Sequence, residues 1–250
     1  MLKDFRNEEF DIVIQAGQSN SEGCGLGSVE KPYEQSDSIY MMESNFTVMI
    51  AREKIWGNNV VGNFVLPFAE RYIKNGYLKE GRKLLILLAA VGGTGFCDHR
   101  WGMEDDLYLQ MIKMINTATN LNAGNQVKAF LWHQGETDVN EPDQDRHYNN
   151  LKRLVLSVRQ LTGRHNLPFI AGDFVESWKV ARGLTDCKSI IDAIRRVCSD
   201  IGHAGFVETA GLQSNDEALG NGDDVHFCRE ALYTLGEGYF KAWQGIIKDN

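Results

Sequence analysis

Short apolar runs alternating with segments of helical spacing leave this chain few folds to choose from. Ile12 to Ala16, Leu84 to Val91, Val127 to His133 and Pro168 to Phe174 read as buried strands, with a weaker one near Phe206 to Thr209. Phe64 to Asn75, Asp105 to Asn120, His147 to Leu161, Cys187 to Cys198 and Glu230 to Ile247 carry helical spacing. Strands alternating with helices imply right-handed crossovers and a mostly parallel sheet covered on both sides. The predicted class is α/β. Residues 21–62 lack clear periodicity and should hold an irregular excursion with one strand around Met41-Met42. No linker, repeat or low-complexity tract interrupts the chain, so a single domain over residues 1–250 is expected.

Charge and cysteine usage narrow the function classes. A formal net charge of −8 argues against nucleic acid or an anionic membrane as the main partner. The N-terminal stretch MLKDFRNEEF is charged and has no apolar centre of a secretory signal, and Leu84 to Val91 is too short to span a bilayer. Cysteines 24, 97, 187, 198 and 228 form no C-x-x-C pair, which suits a reducing compartment. The expected location is cytoplasmic.

Four stretches place chemistry at the carboxyl ends of strands, where open α/β sheets bind ligands. In Phe10 to Asn20 the β-branched run Ile12-Val13-Ile14 ends in Gly17-Gln18-Ser19-Asn20, which sets a hydroxyl just past the strand. Serine and asparagine there also suit a plain turn or helix cap. Gly92-Gly93-Thr94-Gly95 follows the second strand, and its small residues let backbone N–H groups face an oxyanion. Without a following Lys-Ser/Thr it is no P-loop. His133-Gln134-Gly135-Glu136-Thr137-Asp138 crowds polar groups beside a buried strand, at a cost unless they are paired or used. Gln134 could aim its amide at an oxyanion, with Glu136 and Asp138 behind it. A metal held by His133, Glu136 and Asp138 is the rival reading, although no second histidine stands at ligand spacing. Finally, Asp223 and His226 are three apart, so in a turn both side chains lie on one side and the carboxylate can hold the imidazole. Asp224 is the rival carboxylate. His99 could line a pocket, while His147, His165 and His203 read as surface residues.

Together these pieces resemble the SGNH hydrolase superfamily and, within it, the carbohydrate O-acetylesterases related to sialate O-acetylesterase and acetylxylan esterase. IVIQAGQSN matches the nucleophile block, AAVGGTG the second block, WHQGETD a glutamine-bearing third block and DDVHF the Asp-x-x-His block, spanning Ile12 to Phe227. The resemblance implies a three-layer α/β/α sandwich of flavodoxin-like type and hydrolysis of sugar acetyl esters without a cofactor. It makes Ser19 the nucleophile, His226 the base and Asp223 its orienter. The oxyanion hole would use the N–H of Ser19, that of Gly93 (Gly92 being the alternative) and the side chain of Gln134. Gln18, Asn20, Gly92, Thr94, Glu136, Arg100 and Trp101 are the expected lining of the sugar site. Two departures bear on specificity: Ser21 stands where methionine is frequent, and the loop after GGT runs through Gly95-Phe96-Cys97-Asp98-His99-Arg100-Trp101. Rival functions are a sugar-binding protein that kept the scaffold without turnover, and a metal-dependent hydrolase.

Overall fold

The computed structural model describes residues 4–139 and 143–248. The first three residues of the charged N-terminal stretch lie outside them. The chain opens with β1 (Glu9–Gly17), a single-turn α1 (Ser19–Glu22), β2 (Ile39–Met42) and β3 (Val48–Ile50). A hairpin of β4 (Lys54–Trp56) and β5 (Asn59–Val61) precedes α2 (Val65–Lys74), β6 (Arg82–Leu88) and α3 (Asp106–Leu121). Next come β7 (Gln126–His133), α4 (Gln144–Leu161), β8 (Phe169–Gly172), α5 (Glu176–Arg182) and α6 (Leu184–Asp200). The chain closes with β9 (Ala204–Val207), α7 (Asn215–Leu219) and α8 (Arg229–Lys248).

Seven strands form one sheet in the order β3-β2-β6-β1-β7-β8-β9, parallel except for β3. β1 lies at its centre, with Val13 paired to Ile86 on one side and Ala16 to Trp132 on the other. Every residue of β1 after Glu9 is buried, as a strand covered on both faces requires. Helix α2 packs on α8, α4 packs on α6, and α3 lies against β1 and β6, which completes the three-layer α/β/α sandwich expected from the sequence. Asp11, buried near the amino end of β1, accepts from Arg82 Nε at 2.8 Å and from the Tyr72 hydroxyl at 2.6 Å. Such pairing removes the cost of burying a carboxylate and marks this end of the sheet as structural.

The apolar runs all become strands, but the second stops at Leu88, so Ala89 to Val91 already belong to the loop that carries the glycines. The stretch 21–62 holds four short strands where one was expected. Three-residue strands such as β3, β4 and β5 show too little alternation to be read from a pattern. No helix among the described residues is long and apolar enough to cross a membrane.

Candidate active site

The end of β1 is pressed onto β7. Gly17 has φ of +127°, and a Cβ there would meet the His133 carbonyl oxygen at 2.1 Å, so only glycine fits. Gln18 N–H then donates to that same carbonyl at 2.9 Å, and α1 begins at Ser19. Behind the turn, Ser21 Oγ donates to the Ala16 carbonyl at 2.9 Å. Asn20 is fully buried and ties three segments together. Its Nδ2 donates to Glu136 Oε1 at 2.8 Å and to the Val225 carbonyl at 3.1 Å, while its Oδ1 accepts from Phe227 N–H at 3.1 Å. Asn20 is a joint beneath the site rather than part of its lining.

That joint sets the last loop over the serine. His226 Nε2 lies 2.8 Å from Ser19 Oγ, and His226 Nδ1 lies 2.9 and 3.0 Å from the two Asp223 oxygens. Asn215 Nδ2 fixes the carboxylate from the other side at 2.9 Å. Asp224 lines the cleft and makes no bond to the imidazole. Hydroxyl, imidazole and carboxylate are thus in series, an order in which a proton can leave the oxygen while the carboxylate steadies the resulting cation.

Three N–H groups near Ser19 are free to meet an anion. Ser19 N–H stands in the first turn of α1, where helices supply no partner of their own, and no partner appears among the described residues. Gly93, at φ of +68°, also has an N–H with no partner among the described residues, whereas Gly92 N–H donates to Glu22 Oε2 at 2.9 Å. The third expected donor, Gln134, is corrected by the structure. Its side chain is fully buried and its Nε2 donates to Asp138 Oδ2 at 2.9 Å, away from the cleft. Gln18 points the other way. Thr137 N–H and Oγ1 donate to Gln18 Oε1 at 3.2 and 3.1 Å, which turns the amide so that Nε2, without a partner among the described residues, faces the cleft.

Besides Asn20, three more residues expected in the sugar site are elsewhere. Thr94 Oγ1 donates to the Val91 carbonyl at 2.7 Å and accepts from Trp101 Nε1 at 2.9 Å. Trp101 is wholly buried, edge-on to Trp132 with ring centroids 5.1 Å apart. Arg100 forms a two-pronged pair with Asp106 at 2.8 and 3.0 Å outside the cleft. Of the expected lining, Gln18, Gly92 and Glu136 face the cleft. His147, read as a surface residue, is buried with Nδ1 3.1 Å from Asp138 Oδ2.

The carboxylates behind the site differ in character. Burial would raise the Asp138 pKa, but His147 and the Cys97 N–H outweigh it and hold the group below the usual carboxylate range. Asp138 also accepts from Phe96 N–H at 3.1 Å and Cys97 N–H at 2.9 Å, so it pins the loop that carries Gly93. Glu136 is pushed up to about 6 by burial, against the opposing bond from Asn20. Burial pushes His133 down to about 3, and its Nδ1 meets the Tyr239 hydroxyl at 3.0 Å. The three candidate ligands do not converge: Asp138 faces the glycine loop, and His133 offers Nδ1 to Tyr239 while its Nε2 lies 3.8 Å from Glu136 Oε1. Among the described residues no three His, Cys, Asp or Glu side chains are grouped to hold an ion.

Ser19 and His226 open onto a cleft of about 1140 Å³. Much of its wall comes from residues the sequence reading passed over: Arg52, Ile55 and Trp56 around the hairpin, and Trp178 and Arg182 on α5. One signal was present. Gly57-Asn58 between the short runs Lys54-Ile55-Trp56 and Asn59-Val60-Val61 is a two-residue hairpin turn.

Comparison with known proteins places this geometry. Residues 9–244 match the family model described as carbohydrate esterase, sialic acid-specific acetylesterase. A probable carbohydrate esterase of Arabidopsis thaliana is 31% identical over 99 residues, a match covering 39% of this chain and 36% of that protein's length. The crystal structure of NanS superposes with a TM-score of 0.81 at 14% identity, covering 98% of this chain and 99% of that one. An Arabidopsis thaliana structure superposes with a TM-score of 0.72 at 21% identity, covering 94% and 98%. A carbohydrate acetylesterase from Xanthomonas citri gives 0.65 at 14% identity, covering 96% of this chain and 57% of that one. At these identities the superpositions speak for the fold.

Proposed function

This chain belongs to the carbohydrate esterase family of sialic acid-specific acetylesterases, and on that footing we propose that it is a serine esterase removing O-acetyl groups from sugars of the sialic acid or xylan type through an acyl-enzyme. The observation that carries this reading is the run from Asp223 through His226 to Ser19 Oγ, with bonds of 2.9 and 2.8 Å, at the floor of the cleft.

Ser19 Oγ attacks the ester carbonyl as His226 Nε2 takes its proton, and Asp223 stabilises the imidazolium. The negative carbonyl oxygen is met by Ser19 N–H, Gly93 N–H and Gln18 Nε2. These donors are fixed before the substrate arrives, so they need no reorganisation when charge develops. His226 then gives its proton to the departing sugar hydroxyl. Water, deprotonated by the same nitrogen, attacks the acetyl-serine and releases acetate. Serine hydrolysis of this kind has no need of a metal.

The test compares wild type with Ser19→Ala on p-nitrophenyl acetate, each with and without EDTA. Turnover lost with Ser19 and indifferent to EDTA is the expected outcome. Equal rates in both proteins, or loss on chelation, would overturn the proposal.

A further inference from the structure

We propose that the cleft takes the acetylated sugar as one ring of a longer glycan, with a neighbouring ring stacked on Trp56. This rests on the esterase reading and names the substrate class that the same site accepts.

The size of the cleft is the first observation. Its 1140 Å³ exceeds the roughly 300–1,000 Å³ of sites that enclose a drug-sized ligand. A single acetylated ring at Ser19 leaves much of it unfilled. Its shape follows from the sheet. Met49 of β3, Met41 of β2, Leu88 of β6, Ser19 after β1, Thr137 after β7 and Trp178 on α5 after β8 all line it. They come from six adjacent strands, whose five steps of ~4.8 Å span about 24 Å across the sheet. Ser19 lies within that span, so substrate can extend past the reacting ester.

The second observation is the hairpin at one flank. Trp56 is 68% exposed and Ile55 76%, an apolar surface that a hairpin tip rarely presents without a use. Side chains alternate along a strand, so Lys54 and Trp56 share a face of β4. Lys54 pairs with Glu22 at the cleft, and Trp56 lines it directly beside Ile55. An isolated hairpin is marginal in water. This one is anchored twice, by the Lys54–Glu22 pair and by the Gly62 N–H bond to the Gly25 carbonyl at 2.7 Å. Glu22 also holds the glycine loop through Gly92 N–H, so the hairpin is tied to the loop that carries Gly93.

The chemistry of the platform selects its occupant. An indole offers a flat face with partial negative charge, and a pyranose offers a face of C–H groups while its hydroxyls point outward to water. Trp178 is not an equivalent platform, being 5% exposed with the Arg182 guanidinium 5.5 Å from its ring centroid. The hairpin tryptophan is thus the open aromatic surface of the cleft, and it reads a ring beside the one that is deacetylated.

The experiment measures kcat/KM on two substrate pairs: O-acetylated sialic acid against O-acetylated sialyl-lactose, and O-acetylated xylose against O-acetylated xylotriose. Wild type and Trp56→Ala are compared, each rate normalised to the same protein's turnover of p-nitrophenyl acetate, so that a folding defect cancels. The expected result is a preference of about tenfold or more for the longer member of one pair in wild type, reduced about tenfold in Trp56→Ala. Equal rates on both members of both pairs, or a preference that survives Trp56→Ala, overturns the proposal. So does a wild type that is active on p-nitrophenyl acetate and inert on all four sugars. Loss of the esterase reading would look different, since p-nitrophenyl acetate turnover would then persist in Ser19→Ala.

Discussion

Replacing Gln18 and Gln134 one at a time separates two amides that lie in neighbouring loops and do different things. In Gln18→Ala the donor facing the cleft is lost while Ser19 N–H, Gly93 N–H and the imidazole stay in place. Removing one of three oxyanion donors costs about 100- to 1,000-fold in kcat, or ~2.7–4 kcal/mol of transition-state stabilisation. KM should move little, because the bond strengthens only as the carbonyl oxygen becomes negative. The truncation also frees Thr137 N–H and Oγ1, which now donate to Gln18 Oε1, a loss of about 1–2 kcal/mol of stability. Gln134→Ala should behave in the opposite way. It removes a fully buried bond to Asp138 and destabilises by roughly 1–3 kcal/mol, with kcat within about threefold of wild type while the protein is folded. The assay is kcat and KM on p-nitrophenyl acetate beside a thermal melt of each protein. A Gln18→Ala enzyme within threefold of wild type refutes the reasoning, as does a Gln134→Ala enzyme that loses 100-fold with its melting temperature unchanged.

Asp223→Asn should lower kcat by on the order of 10³–10⁴-fold, because an amide cannot stabilise the imidazolium and can favour the wrong tautomer of His226; a loss under tenfold in steady-state assays would show that the carboxylate is dispensable. Glu136→Gln should change the pH dependence of stability. Burial raises the folded-state pKa of Glu136 from an ordinary 4.5 to about 6, so ionisation costs the folded chain more than the unfolded one, and stability falls as pH climbs from about 4.5 to about 6. The neutral amide keeps an oxygen for Asn20 and avoids that cost. The variant should therefore gain on the order of 2 kcal/mol at pH 7.5 and nothing near pH 4, measured by urea unfolding at both; a gain that is the same at the two pH values contradicts it.

The sheet was legible because burial on both faces forces near-continuous apolar runs, and β1, β6, β7 and β8 all carry one. The pairing of Asp223 with His226 was legible for a different reason, since a three-residue spacing confines them to one turn, while the approach of Ser19 to them was expected only from the resemblance. What escaped was the aim of side chains. Gln134 and Gln18 are both glutamines at a strand's end, and the difference between them lies in which amide atom is held: Thr137 donates to the oxygen of Gln18 and leaves its nitrogen facing the cleft, while Asp138 accepts from the nitrogen of Gln134 and draws it inward. Trp101 and Arg100 follow the glycine loop closely in sequence, but the loop turns back, so the indole enters the core and the guanidinium meets Asp106. His147 was hidden because its partner, Asp138, arrives from the preceding loop rather than from its own helix.

The bond between Ser19 and His226 joins residues 207 positions apart, and Asn20 depends on the same closing segment for its partners Val225 and Phe227. Ser19 is therefore synthesised long before the His226 that it meets. Contacts of such separation form late, because a long loop must close before they return any free energy. On the proposed mechanism, a chain whose segment around His226 has not docked holds a serine with no base beside it, and should be inert toward esters. During refolding, recovery of esterase activity should trail the return of helical signal, so that activity serves as a clock for the last step of assembly.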